Sequence, residues 1–406
     1  MRRVRSAAFG IVVALGALTG CGRMERLQAC NIATSDCQRS VYYAVVRLRG
    51  DGWDPFDGLP PIQTITLARY RKELTSEQDT AKPSMPSAAP AFDPWSDALQ
   101  LLGLLKKSSS ASQASVDSQV NNVAAFYSSA TRKVTVIDRG DARDDRSDTT
   151  LLAHELVHAF QDNEVSSAVG GPSTDGSFAG RALIEGEAVL YEHLAGAEID
   201  GYDPQELDWT GYYRDWARNL RDSVPGAGSP FYSVSWFVYP FGANVFTRGW
   251  LRGGNAAVRE LAKSFPTHTA DFMARIDGDQ LSDDAPALDC SVSPPGSHYE
   301  RVGFDRFGGM QLYAFLSENQ LDESDAWSRG KRWRDDLLWV YSDDNAEHAA
   351  LSWRIRLGDA DSADVVVDAA NRRPTLRAER IGHDALIIGS DDEAVLADWQ
   401  GARDCR

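Results

Sequence analysis

Residues 149–162 read T-T-L-L-A-H-E-L-V-H-A-F-Q-D. Asp148 or Thr149 can cap a helix that starts here. Leu151, Leu152, Leu156 and Ala159 make one apolar stripe, widened by Val157 and Phe160, so the spacing predicts a helix with a buried side. His154 and His158 are four residues apart on that helix and stack on one face. Two neutral imidazoles so placed can hold one Zn²⁺ at about 2.0–2.1 Å each. Glu155 lies between them, placed to reach a water beside the metal rather than the metal itself.

Outward from this segment the pattern stays regular. Lys133 to Asp138 (K-V-T-V-I-D) alternates and is β-branched, which predicts a strand. Before it, Val116, Val120, Val123, Ala124 and Tyr127 fit one face of a helix. After it, a charged loop from Arg139 to Asp148 leads into the histidine helix. Residues 178–195, F-A-G-R-A-L-I-E-G-E-A-V-L-Y-E-H-L-A, predict a second helix. A zinc held by three protein groups keeps a fourth position open, the mark of a catalytic rather than a structural site. Positions 161 and 164 hold Gln161 and Glu164, so the Gly and His of the metzincin pattern are missing. The third ligand is then expected from a Glu on the second helix, where Glu185 and Glu187 are the candidates. Gly186 between them costs roughly 1 kcal/mol of helix stability, which a close approach of the two helices around the metal would explain.

His154-Glu155-Leu156-Val157-His158 carries the zincin signature, and the run to Asp162 resembles the HELxHAxQD core of bacterial gluzincin-like zinc metallopeptidases. Glu185-Gly186-Glu187-Ala188 resembles their Glu-Gly-x-Ala segment, in which the first Glu is the ligand. The thermolysin form has an Asp four residues later, where this chain has Val189. Further similar stretches are Ala124-Ala125-Phe126-Tyr127, as the end of a helix before a strand, Tyr239-Pro240-Phe241-Gly242, and Gly253-Gly254. Trp333 to Tyr341 is similar too, with Asp335 in place of a Gly. The resemblance covers about residues 120–370.

It implies an α+β fold, with a zincin-like catalytic domain whose active-site helix lies beside a small sheet, plus a C-terminal α+β extension. It also implies a Zn²⁺ cofactor with His154, His158 and Glu185 as ligands, and Glu155 as the base in peptide hydrolysis. Zincins use a Tyr or His to steady the developing oxyanion, for which Tyr239, His268 and His298 are candidates. Asp162 and Glu192 are candidates to orient the two imidazoles. The strand from Lys133 to Asp138 could pair with an extended peptide.

The first residues read as an address. Arg2, Arg3 and Arg5 precede an apolar run from Ala7 to Leu18, too short to span a bilayer. It ends in Leu18-Thr19-Gly20-Cys21, which resembles the lipobox of bacterial lipoproteins. That implies cleavage after residue 20 and acylation of Cys21. Gly22 rather than Asp after it favours the outer membrane. Four other cysteines remain, as an oxidising compartment favours. Cys30 and Cys37 are close enough in sequence to close a small loop, and Cys290 with Cys405 would staple the C-terminal region.

The expected organisation is a signal peptide over residues 1–20 and an N-terminal segment and linker over 21–115. The metallopeptidase domain spans 116–280 and the C-terminal α+β region 281–406. Short strands are expected at Val41 to Arg49 and Ile62 to Tyr70, and a short helix from Asp97 to Leu105. The loop from Asp51 to Gly58 lacks the EF-hand spacing and reads as polar surface. Beyond the Pro-rich stretch from Leu281 to Pro295, helices are expected at Phe307 to Leu316 and Ala363 to Ala370. Strands are expected at Leu337 to Tyr341, Leu351 to Leu357 and Ala385 to Ile388. With 59 Asp and Glu against 42 Lys and Arg the net charge is −17, which argues against a nucleic-acid partner. Trp209, Trp216, Trp236 and Trp250 could stack on sugars but read better as core. The leading expectation is an envelope lipoprotein that hydrolyses peptides with zinc. The alternatives are a non-catalytic, zinc-stabilised envelope binding protein and a zinc hydrolase of another amide.

Overall fold

Thr34 caps the first helix by accepting from the Cys37 backbone N–H, and Gly50 ends it in the left-handed conformation. This helix, α1(Ser35–Arg49), replaces the strand expected at Val41 to Arg49. The β-branched and aromatic run suggested a strand. Cys37, Val41, Tyr42, Ala44, Val45 and Arg49 instead bury at helical spacing against the histidine helix. Tertiary packing overrides local propensity here. The structure, a computed structural model, describes residues 26–50, 58–81, 93–107, 109–140, 144–164, 171–263, 265–279, 286–399 and 402–403. The signal segment with Cys21, most of the loop from Asp51 to Gly58, the prolines at 83, 86 and 90, and Cys405 lie outside the described residues.

A three-stranded sheet follows. β1(Ile62–Thr66) leads into α2(Leu67–Ala81), so the expected strand to Tyr70 turns helical at Leu67. After α3(Pro94–Leu102) and α4(Ala111–Asn122) come β2(Ala125–Ser128) and β3(Lys133–Asp138). The order is β1-β3-β2, with β1 parallel and β2 antiparallel to β3. The stretch expected as one helix from Val116 to Tyr127 therefore ends at Asn122, and Ala125-Phe126-Tyr127 is a strand. β3 lies between two partners, so its hydrogen-bonding edges are both occupied. The edge strands are β1 and β2.

The helical layer carries the site. α5(Asp145–Glu164) and α6(Thr174–Asp200) pack side by side, joined by buried Leu152, Leu156, Val157, Phe160, Leu183 and Leu190. α7(Trp209–Ser223), the single turn α8(Pro230–Ser233) and a 3₁₀ turn over Val234–Phe237 lead into α9(Val238–Leu261). α9 breaks at Gly253 and Gly254. Gly254 has φ +61°, a conformation that favours glycine. α10(Thr269–Asp277) follows. α6 and α9 cross at Gly186 and Gly242. A Cβ on Gly186 would stand 2.2 Å from the Gly242 carbonyl carbon, and one on Gly242 would stand 1.8 Å from the Ala182 carbonyl oxygen. Gly186 is thus required by α9, not by the approach of α5 and α6 around a metal as the sequence suggested.

The C-terminal part holds a five-stranded antiparallel sheet. Its elements are β4(Tyr299–Asp305), α11(Gly308–Glu318), α12(Glu323–Gly330), β5(Trp333–Asp343), β6(Ala349–Leu357), α13(Ala360–Asn371), β7(Leu376–Ile381), β8(Asp384–Ser390) and α14(Glu393–Asp398). The order is β4-β5-β6-β8-β7. Buried Asp336 ties this sheet to the helices, accepting from the Phe307 and Gly308 backbone N–H groups and from the indoles of Trp333 and Trp353. One hydrophobic cluster runs from Leu99 on α3 through Phe241 on α9 to Trp353 on β6, so residues before 115 and after 281 share a core with the helical layer. Cys30 and Cys37 form a disulfide. Cys290 is disulfide-bonded as well. No described helix is long and apolar enough to cross a membrane. The whole is an α+β chain with two small sheets.

Candidate functional site

α5 presents His154 and His158 toward α6, where Glu185 and Glu192, seven residues apart, occupy the facing side two turns from each other. Glu185 Oε2 lies 3.3 Å from His154 Nε2 and 3.5 Å from His158 Nε2. Four donors placed tetrahedrally at zinc distances would stand about 3.3–3.4 Å apart, so these separations suit one ion. The donor set, two imidazoles and one carboxylate, also suits zinc.

The hydrogen bonds behind the imidazoles fix their tautomers. His154 Nδ1 is 2.9 Å from Glu192 Oε2, an acceptor, so Nδ1 carries a proton, and Nε2 is the nitrogen that the neutral imidazole would offer to a metal. His158 Nδ1 is 2.9 Å from Gln161 Oε1. The Gln161 amide cannot be turned around, because its NH₂ donates to the Ile184 carbonyl and to Glu187 Oε2, each at 2.9 Å. Glu187 in turn is held by Arg49 at 2.6 Å. Glu187, the rival ligand by sequence, therefore faces away from the histidines and sets the tautomer of His158 through Gln161. Asp162, expected to orient an imidazole, instead accepts from the Tyr127 hydroxyl at 3.1 Å. The other candidate, Glu192, does contact His154. Gln161 and Arg49 were missed by sequence reasoning. Gln161 stands three residues after His158 and so shares its helix face, a usable signal; Arg49 comes from a distant segment and left none.

Glu155 is almost fully buried, and its Oε2 has no hydrogen-bond partner in the protein. Burial pushes its carboxyl above the ordinary value, against the pull of both imidazoles. Burial would also lower His154 and His158. The carboxylates of Glu185 and Glu192 outweigh it for His154, and that of Glu185 does so for His158, so both rise above their ordinary value. For Glu185 burial opposes ionisation, but the two imidazoles hold its carboxyl far below the usual range.

A cavity of about 850 Å³ opens onto these groups. β2 lines one side with Ala125, Phe126 and Tyr127, and Trp236 and Tyr239 line another. Tyr239 sits in the first turn of α9, where Pro240 needs no backbone donor. Its ring lies 6.2 Å from His154 and between those of Trp216 and Trp236. Burial and the Glu185 charge keep its hydroxyl protonated. His268 bonds Asp175 and His298 packs on Tyr299, and neither lines the cavity. Trp209 stacks on His193, and Trp250 packs on the core.

The chain matches no family model, no curated protein and no solved structure.

Proposed function

We propose that the protein is a zinc-dependent peptidase with a gluzincin-type site, held at a cell-envelope membrane through acylated Cys21. The observation that carries the reading is the buried Glu155 oxygen, unpartnered beside three convergent donors: a site that only bound metal for stability would have no use for it. His154, His158 and Glu185 would hold the ion. When bound, zinc acts as a Lewis acid toward a carbonyl and makes a neighbouring water more acidic. Glu155 takes the proton of that water and passes it to the departing amine, a task its raised pKa suits. The Tyr239 hydroxyl donates to the oxygen that gains charge. β2 supports an extended substrate. Phe126 and Ser128 face β3 in hydrogen-bonded pairs, so the backbone groups of Ala125 and the Tyr127 carbonyl turn outward, toward the cavity they line, while the Tyr127 N–H donates to Glu155.

The test compares metal content of the wild type and His158→Ala, and peptide-library cleavage by the wild type and Glu155→Gln. Zinc at one per chain, lost in His158→Ala, with cleavage lost in Glu155→Gln, supports the peptidase. Stoichiometric zinc without turnover supports a non-catalytic envelope binding protein.

A further inference from the structure

Arg181 stands four residues before Glu185 on α6, so the two side chains leave the same helix face one turn apart. It lines the cavity with His154, Glu155 and Tyr239, and it is the only Lys or Arg among the described residues that do. It is exposed. Of the nearby carboxylates, Glu185 is engaged with both imidazoles, Glu192 with His154 and Asp162 with Tyr127, and Glu155 is buried beside the histidines. Among the described residues none forms an ion pair with Arg181, whereas Arg49, Arg306 and Arg354 are each paired with a carboxylate. Its positive charge acts on the Tyr239 hydroxyl against the effect of burial.

A planar fork of N–H donors, left open to solvent in a cleft whose other charged groups are Asp162 and the imidazoles and carboxylates of the metal site, matches a carboxylate brought from outside. We infer that Arg181 recognises a peptide carboxylate next to the scissile amide, which makes acidic peptides the preferred substrates. This rests on the peptidase reading above. The carboxylate could belong to an Asp or Glu side chain or to the end of the chain. A second space of about 980 Å³ shares the wall made by Tyr232, Trp236 and Tyr239 and is lined further by Trp216, Leu220 and Lys106. That neighbouring room favours a side chain within a longer peptide.

The test uses the full mature chain loaded with zinc and four peptides of one sequence. Two carry Glu or Gln beside the cleaved bond and an amidated end. Two carry Gln there and end directly after it, as free acid or amide. Values of kcat/KM are measured for the wild type and Arg181→Gln. Dissociation constants are measured for the same peptides on Glu155→Gln, with and without Arg181→Gln. The wild type should favour the Glu peptide over the Gln peptide by about 10–100-fold, the worth of a charge-assisted pair, and Arg181→Gln should bring that ratio close to one while zinc content holds. A preference confined to the free-acid end would support carboxylate recognition with the terminus as its source. A variant slowed equally on all four peptides, or a wild type without preference in both rate and binding, would overturn the inference. Acid-selective binding lost with Arg181, but no cleavage of any peptide, would support Arg181 and sink the peptidase reading alone.

Discussion

Arg49 and Glu187 form a buried ion pair at 2.6 Å directly behind the histidine site, and through Gln161 that pair reaches His158. The two neighbouring glutamates of α6 thus have separate tasks: Glu185 faces the imidazoles, and Glu187 anchors their support.

This separation gives opposite outcomes for zinc in two conservative changes. Glu185→Gln should lose zinc, together with the stability that its ionised carboxylate lends the metal-free protein. Glu187→Gln should keep zinc but lower stability. Breaking a buried pair costs about 3–5 kcal/mol; Glu164 still holds Arg49, so roughly 2–3 kcal/mol is expected. Metal analysis and thermal melts check both. Zinc loss in Glu187→Gln alone would reverse the ligand assignment.

Zinc binding should release protons. The carboxylates around His154 and His158 raise their pKa values above the ordinary 6.5, and a ligand must be deprotonated to bind metal. Apparent affinity should therefore climb as pH rises toward the folded-state values of these histidines and level off above them. The sign for folding of the metal-free protein follows from linkage. The raised imidazoles contribute stability that is full below pH 6.5 and lost as pH rises through their folded-state values. Glu185, lowered from 4.5, contributes stability present above that value and lost as pH falls through its folded-state pKa. Calorimetry in two buffers of different ionisation enthalpy reads the released protons directly; identical heats at pH 7 would contradict the scheme.

Gly186→Ala should destabilise the protein even though Ala is the better helix former by about 1 kcal/mol. The new methyl would meet the Gly242 backbone, and backbone cannot swing aside as a side chain can. A net loss of at least about 1–3 kcal/mol is expected, read from chemical denaturation. Wild-type stability would mean that α6 and α9 can part without cost.

Tyr239→Phe should lower kcat by about 10²–10³ with little change in KM or zinc content, as loss of one oxyanion donor does. An unchanged kcat would remove Tyr239 from the chemistry and leave it as a wall of the cavity.

Chelation should lower the melting temperature without unfolding the chain, because α5 and α6 are joined by buried Leu156, Val157, Phe160 and Leu190. At a free zinc concentration 100 times the dissociation constant the bound ion adds about 2.7 kcal/mol. Far-UV dichroism should persist after chelation. Its collapse would favour a metal kept for folding.

Much of the candidate site was legible because helical spacing is a local property. His154, Glu155 and His158 needed only one helix and its periodicity to be singled out, Glu185 was preferred to Glu187 through the resemblance to the Glu-Gly-x-Ala segment, and β3, α5, α6, α11 and β6 fall close to where alternation and apolar stripes put them. The failures share a cause. Val41 to Arg49 has strand-like composition, yet its neighbour is a helix, and only that neighbour shows that the buried positions repeat every three to four residues. At Asn121-Asn122 the period changes from helix to strand within a few residues, too short a span for either pattern to dominate. The role of Gly186 depended on α9, about 50 residues on, and the partner of Gln161 was a glutamate that looked like a ligand.

β2 has one further implication. The rim of a sheet ordinarily invites another copy of the chain to zip onto it, and proteins guard such rims. Here the rim is four residues long and lines the cavity together with Trp236 and Tyr239. A single extended strand would fit such a cavity more readily than the edge of another folded sheet. The same burial that guards against self-association would thus sort clients by shape, sparing compact proteins and admitting loose ends and unfolded loops.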